Sequence, residues 1–229
     1  IASIQVYEDT TGVGPGDAVY RTGKTMSAAL APGLLESIYD GVQRPLKAIE
    51  EASGSVYIKR GIDADALDKT KKWDFKATAK VGDKVTGGDI LGTVDETKLI
   101  VHKVMVPPNL SGVITNIKSG SFNITETIAE IKTEAGEVEN VMMLQYWPIR
   151  EPRPKNKKIF PSEPLLTGGR SIDTLFPIAK GGAGCIPGPF GAGKTVTQQS
   201  ISKYCNAEVI VYIGCGERGN EMTEVLSEF

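Results

Sequence analysis

The first stretch of the chain, residues 1 to about 30, carries short β-prone runs separated by turn residues. The chain opens in an alternating pattern in which Ile4 and Val6 are the apolar positions, as in a strand with one buried face. Two turn signals follow, Thr10-Thr11-Gly12 and Gly14-Pro15-Gly16-Asp17. Short strands joined in this way are typical of a small β-barrel, so we interpret residues 1–30 as the remnant of an N-terminal barrel.

The second stretch, residues 65–146, has a different texture. Short β-prone segments alternate with Gly-Asp and Gly-Gly turns, and they include Val104-Met105-Val106, Val113-Ile114 and Thr127-Ile128-Ala129. This pattern predicts a separate β-rich module inserted into the chain. Between the first two stretches, residues 33–49 predict a short helix or a single helical turn.

The third stretch predicts alternating strands and helices. A short strand over residues 183–186 leads into a Gly-rich loop and a helix from Thr195 to about Cys205. Residues 209–213 form a continuous apolar run, which is typical of a parallel strand buried on both faces. Strand, loop, helix and strand make a βαβ unit and therefore an α/β core. A further helical spacing is shown by Met222, Val225, Leu226 and Phe229.

Composition narrows the function classes. The 229 residues are 40% hydrophobic and 24% charged, which is ordinary for a soluble globular protein. The formal net charge of −2 argues against a nucleic-acid partner held by bulk electrostatics. No apolar run approaches the roughly 18 residues of a membrane helix, so we expect any membrane association to go through partners.

The cysteines and the histidine do not predict a metal site. Cys185, Cys205 and Cys215 are an odd number without metal-ligand spacing, and we interpret them as reduced thiols. His102 is the single histidine, and a solvated or hydrogen-bonded strand residue is its simplest interpretation.

The strongest chemical signal is a phosphate-binding loop that fits G-x-x-x-x-G-K-[ST]. Its glycines are expected to take positive φ, so that successive N–H groups and the following helix N-terminus face one anion. Lys194 adds a charge near the β- and γ-phosphates, and the Thr195 hydroxyl is the expected Mg²⁺ ligand. The predicted ATP-binding residues are Gly188, Pro189, Phe190, Gly191, Ala192, Gly193, Lys194 and Thr195.

Glu217 is the candidate catalytic carboxylate, together with Arg218. The predicted strand that ends near Ile213 runs into Gly216-Glu217-Arg218, so Glu217 emerges at the sheet edge where ligands of α/β proteins bind. A carboxylate there can orient the attacking water, and Arg218 can steady the phosphate charge. Position alone leaves a second interpretation equally open, in which Glu217 caps the next helix.

Three motifs together resemble the rotary ATPases, namely the phosphate loop, Gly216-Glu217-Arg218 and the segment 177–182. The chain looks most like the catalytic A subunit of the vacuolar/archaeal type, because it has a lysine-bearing loop, the segment 215–222 in the form typical of that subunit, and the β-rich insert. Ala192 stands where the eukaryotic counterparts carry a cysteine, which indicates a bacterial or archaeal form.

The resemblance implies a truncated RecA-like nucleotide-binding domain made of residues 31–64 and 147–229, interrupted by the inserted domain 65–146. It implies that ATP and Mg²⁺ bind at Lys194 and Thr195 and that Glu217 is catalytic. It also implies an alternating ring with non-catalytic B subunits that donate an arginine finger, stalk subunits, and a place on the cytoplasmic face of a membrane that carries a proton or sodium channel. Later-strand residues of the family are absent, so we expect a fragment with an exposed apolar surface.

Two alternatives remain from other classes. The segments 81–92 and 105–113 resemble the β-hammerhead of biotinyl and lipoyl carrier domains, with Lys98 as the candidate attachment lysine. The other alternative is a different ring ATPase, either a secretion motor or a helicase. The insert argues against both motors, and the net acidity argues against the helicase.

Overall fold

The computed structural model describes residues 4–23, 25–35, 37–62, 64–153, 155 and 159–228. The chain divides into two compact units, Ile1–Lys155 and Asn156–Phe229, and each is described by itself. The sequence-based division into 1–30, 65–146 and a domain formed by 31–64 with 147–229 stays a prediction.

Most of the first unit is a sandwich of two antiparallel four-stranded sheets. Its strands are β2 Lys72–Ala77, β3 Lys84–Val85, β4 Ile90–Asp95, β5 Val101–Met105, β6 Gly112–Ile117, β7 Gly120–Asn123, β8 Thr127–Lys132 and β9 Val138–Met142. The strand orders in the two sheets are β5-β4-β2-β7 and β3-β6-β8-β9. The predicted strands around Val104, Val113 and Thr127 are confirmed as parts of β5, β6 and β8.

The hydrophobic core lies between these two sheets. In β2 the alternation of the sequence places Trp73 and Phe75 inward and their charged neighbours outward. The Phe75 ring lies against Gly92 of β4, where a Cβ atom would come 2.5 Å from the ring and 2.4 Å from the carbonyl oxygen of Lys76. Only glycine therefore fits at this position. The fully buried side chains that fill the core include Leu91, Val94, Val104, Ile114, Ile124, Ile128 and Ile131.

A third sheet of this unit has two strands and pairs β1 (Ser27–Leu30) with β10 (Gln145–Pro148), and α1 (Leu46–Ser53) follows β1 in the chain. The Gln43 side chain completes the outer edge of β1, because its amide nitrogen donates to the Ala29 carbonyl and its amide oxygen accepts from the Ala29 N–H, both at 2.7 Å. The short helix predicted within residues 33–49 is present as α1, although it begins only at Leu46.

Before β1, the described residues contain turns but no strand. The two predicted turns are confirmed by bonds from the Val13 N–H to the Thr10 carbonyl and from the Asp17 N–H to the Gly14 carbonyl. The strand predicted around Ile4 and Val6 is not formed. A strand needs a hydrogen-bonded neighbour, and none of the described residues pairs with this segment.

The second unit contains, among its described residues, three helices and one small sheet. The predicted helix after the phosphate loop is confirmed, and so is the helical spacing near the end of the sequence, although Phe229 itself lies outside the described residues. The bounds are β11 Pro164–Leu165, α2 Arg170–Leu175, β12 Ile178–Ala179, α3 Lys194–Tyr204 and α4 Gly219–Glu228, with β11 and β12 antiparallel.

The prediction of two parallel strands in this unit is wrong. The structure forms no strand at 183–186 or at 209–213. A parallel strand buried on both faces requires neighbours on either side, and the described residues supply none here. The apolar side chains of the second segment are consequently exposed, by 78% at Val211 and 77% at Ile213. The expected exposed apolar surface is therefore confirmed. None of the described helices is both long and apolar enough to span a bilayer.

Candidate functional site

The loop that precedes α3 has the backbone shape of a phosphate-binding turn. Gly191 and Gly193 have φ values of 79° and 76°, a left-handed region that side-chain-bearing residues rarely adopt. The Ala192 N–H donates to the carbonyl oxygen of Pro189 at 3.3 Å and closes the turn. The positive φ predicted from the sequence is therefore confirmed at these two glycines.

Gly188 is glycine for a different reason, so the sequence-based explanation is wrong at this position. It does not have a positive φ. A Cβ atom at Gly188 would instead lie 2.9 Å from the Cβ of Ala192 and 3.7 Å from the Cγ of Lys194. The close approach of the two ends of the loop thus excludes a side chain here.

Helix α3 begins at Lys194 with an uncapped N-terminus. Its N-cap residue, Gly193, has no side chain that could accept a bond from the first N–H groups, and no described side chain caps them in its place. These N–H groups and the positive end of the helix dipole make this end suited to an anion. Thr195 is half-buried in the first turn, while Lys194 is exposed.

The Phe190 ring lies close to both predicted cationic residues of the site, Lys194 and Arg218. Its side chain is 91% exposed at the tip of the loop. The Lys194 Nζ lies 5.9 Å from the ring centroid and the Arg218 Cζ lies 5.5 Å from it. Both distances fall within the range of a cation–π contact, so one aromatic ring links the phosphate loop to the Gly216-Glu217-Arg218 segment.

Glu217 lies in the connection that leads into α4 and accepts a hydrogen bond from the Tyr212 hydroxyl at 3.3 Å. Burial raises the pKa of Tyr212, and the negative charge of Glu217 raises it further. The helix begins two residues after Glu217, and the acidic residue of its first turn is Glu221.

The described residues do not assemble a metal site made of protein ligands alone. No group of three or more His, Cys, Asp or Glu side chains among them could hold a metal ion. The prediction that Thr195 is a Mg²⁺ ligand therefore rests on its position in the phosphate-binding loop. Cys185, Cys205 and Cys215 form no disulfide in the described part of the chain.

Sequence reasoning missed Tyr212 and the role of the Phe190 ring in pairing two cations. A signal for Tyr212 was available, since it carries the one hydroxyl within the apolar run 209–213. The Phe190 contact had no such signal, because Arg218 is distant in the sequence. The remaining assignments at the site, including Lys194, Glu217 and Arg218, stay predictions.

Known protein families match both units of the chain. Residues 64–150 match the barrel-sandwich domain of ATP synthase alpha/beta subunits, and residues 168–229 match the nucleotide-binding domain of the ATP synthase alpha/beta family. The first match covers the whole β2–β9 sandwich, and the second covers the phosphate loop, α3 and α4.

Individual proteins are similar over essentially the whole chain. The chain is 59% identical over 229 residues to the A subunit of the A-type ATP synthase of Methanosphaera stadtmanae and spans 39% of that protein. It is 58% identical over 228 residues to the V-type ATP synthase alpha chain of Clostridium botulinum and spans 38% of it. A third relative, the V-type ATP synthase alpha chain of Thermoanaerobacter sp., is 56% identical over 227 residues, which are 99% of this chain and 38% of the relative.

The chain thus spans less than two fifths of the length of these relatives. The two domain matches, the high identity over the full chain and the geometry of the phosphate loop all agree. The chain belongs to the ATP synthase alpha/beta family, in the branch that holds the V-type alpha chains and their A-type counterparts.

Proposed function

We propose that this chain supplies the phosphate-binding part of the catalytic subunit of a vacuolar/archaeal-type rotary ATPase. The whole subunit hydrolyses or synthesises ATP and couples the reaction to proton or sodium transport. One observation carries the proposal most directly. A complete G-x-x-x-x-G-K-[ST] loop with positive φ at Gly191 and Gly193 opens helix α3 at Lys194, in a chain that is 59% identical to its counterpart in an A-type ATP synthase.

The loop binds ATP through its backbone and through Lys194. The turn over 188–193 and the first turn of α3 direct N–H groups towards the phosphates, and Lys194 contributes a point charge. To reach the phosphates, Lys194 leaves the ring of Phe190, which it contacts in this structure. The Thr195 hydroxyl would hold Mg²⁺, and the ion would supply positive charge that offsets the charge of the phosphates.

Glu217 and Arg218 act on the attacking water and the transferred phosphate. Glu217 polarises the water, and Tyr212 orients the carboxylate through its hydroxyl. The Arg218 Cζ lies 5.5 Å from the ring centroid of Phe190 in the phosphate loop, so its charge adds to the cationic field around the phosphates. Phosphoryl transfer needs mainly positioning and electrostatic stabilisation, and these groups can supply both.

The partners follow from the same family. We propose that the whole protein alternates with non-catalytic B subunits in a hexameric ring, that each B subunit contributes an arginine finger, and that central-stalk and peripheral-stalk subunits connect the ring to a membrane sector. The protein then lies peripherally on the cytoplasmic face of the membrane. No nucleic acid takes part, which agrees with the net charge of −2.

The other functions considered have weaker support. Lys98 lies exposed in the turn between β4 and β5, as an attachment lysine would. The sandwich nevertheless matches the ATP synthase barrel-sandwich domain, and that match also disfavours a secretion motor or helicase. An unmodified mass for the peptide that contains Lys98, taken from the native protein, would exclude the carrier function.

The substitution Glu217→Gln in the full-length protein of the assembled enzyme tests the catalytic role. The amide keeps the shape and loses the charge, so we expect ATP to stay bound while turnover falls roughly a hundredfold or more. Glu224→Gln, at an exposed position of α4, is the matched control and should turn over normally. If Glu217→Gln weakened nucleotide binding and left the rate per bound ATP unchanged, Glu217 would be a helix cap.

A further inference from the structure

The turn between β4 and β5 is a rigid hairpin tip. The N–H groups of Glu96 and Thr97 both donate to the carbonyl oxygen of Ile100, at 3.1 and 3.2 Å. The Thr97 hydroxyl oxygen accepts from the Ile100 N–H at 3.0 Å. These bonds hold the backbone of the tip, and Glu96 is the first residue of the turn after β4.

Glu96 is a buried carboxylate that reaches a distant part of the chain. Its side chain is only 5% exposed. One oxygen, Oε1, accepts a hydrogen bond from the Gly33 N–H at 2.6 Å, and the other, Oε2, lies 3.2 Å from the Nδ1 of His102 on β5. Both oxygens of Glu96 are therefore used.

The segment around Gly33 also makes a second contact with the sandwich, at Trp73 and Leu67. Gly33 has a φ of 107°, and a Cβ atom there would lie 3.4 Å from the Trp73 ring and 3.8 Å from the side chain of Leu67. The backbone of this segment consequently packs directly on an aromatic side chain of the sandwich core. A side chain at this position would strain the backbone, because residues other than glycine rarely adopt a φ of 107°.

Because the Glu96 side chain is buried, the loss of either of its hydrogen-bond partners is costly in free energy. A carboxylate out of water is costly unless its oxygens are bonded, and loss of one partner leaves that cost uncompensated. If the segment 31–35 lifted away, Glu96 would lose the Gly33 bond while its tip stayed fixed. We propose that Glu96 is a latch that fastens the β4–β5 hairpin of the barrel sandwich to the segment 31–35, which connects β1 to the rest of the chain.

The latch predicts a local effect when Glu96 is replaced. In Glu96→Ala, the amide protection factors at Gly33 to Leu35 in hydrogen exchange should fall roughly tenfold to a hundredfold, as expected for loss of a hydrogen bond to a charged group. The amides of β8, in the other sheet, should keep theirs. The matched control is Asp95→Ala, which removes the neighbouring carboxylate, 60% exposed and paired with Lys76. It should leave both regions unchanged.

A second variant tests the latch from the other side. Gly33→Ala leaves Glu96 in place but displaces the segment, so it should lower the same protection factors. The double variant should lower them no further than the stronger single variant, because both changes open one contact. Unchanged protection at 33–35 in Glu96→Ala, an equal loss in β8, or effects that multiply in the double variant would each overturn the proposal.

Discussion

Replacement of Phe75 by alanine is the sharpest test of how the barrel sandwich is held together. Phe75 is 1% exposed in the middle of β2, and its ring packs on Gly92 of the neighbouring strand. Its removal leaves a cavity between the two sheets. The strand pairing within each sheet limits how far the sheets can move into this cavity. Buried Phe-to-Ala changes cost about 3–5 kcal/mol, and this site belongs at the upper end of that range.

A loss of this size is a large part of the stability of a small domain, which is about 5–15 kcal/mol in total. For the unit Ile1–Lys155, each kcal/mol lowers Tm by roughly 2–4 °C, so we expect a fall of at least about 6 °C. Phe122→Ala is the matched control, since this phenylalanine on β7 is only partly buried against the same core. Its loss of unfolding free energy should be clearly smaller.

Denaturant titration followed by tryptophan fluorescence measures the effect. Both tryptophans of the chain, Trp73 and Trp147, lie in the unit Ile1–Lys155, so the signal reports this unit. A loss below about 1 kcal/mol for Phe75→Ala, or equal losses for the two phenylalanine variants, would refute the description of this core, because such values are typical of surface positions.

Two further predictions concern pH and activity. Burial lowers the pKa of His102, although the charge of Glu96 acts in the opposite direction. The stability that neutral His102 contributes is therefore present above its unfolded pKa of about 6.5 and is lost as the pH falls through the lower folded pKa. The unfolding free energy should decrease as the pH falls below about 6.5, and a decrease of the same size in His102→Gln would contradict this. The 229-residue chain alone should not hydrolyse ATP, since an arginine finger from a partner is worth roughly 10³ to 10⁵ in rate. Steady turnover by the purified monomer, abolished by Lys194→Ala, would show that the chain is self-sufficient.

Local sequence signals predicted the parts of the fold that depend on local physics. The helix after the phosphate loop, predicted from Thr195 and observed from Lys194, and the positive φ at Gly191 and Gly193 follow from the loop motif itself. The strands of the sandwich follow from alternation and turn residues. In each case, the conformational preferences of the residues and of their neighbours in sequence are enough to determine the local structure.

Features that depend on distant partners could not be predicted in this way. The pairing of β1 with β10 joins segments separated by the whole sandwich. The apolar run 209–213 has the composition of a buried strand, yet it is exposed, because composition does not supply the neighbouring strands. Glu96 shows the same limit at a single side chain. The sequence pattern drew attention to Lys98, but the buried residue of that turn is Glu96, and its partner is Gly33.

The most direct test of the proposed function is ATP hydrolysis by the assembled enzyme in which the full-length protein carries Lys194→Ala. Lys203→Ala, in the last turn of the same helix, is the control for removal of a lysine from α3. We expect Lys194→Ala to abolish turnover and to weaken nucleotide binding sharply, because a charge-assisted contact to the phosphates is lost, while Lys203→Ala keeps normal rates. Near-normal hydrolysis by the ring with Lys194→Ala would contradict the assignment of this loop as the catalytic phosphate site.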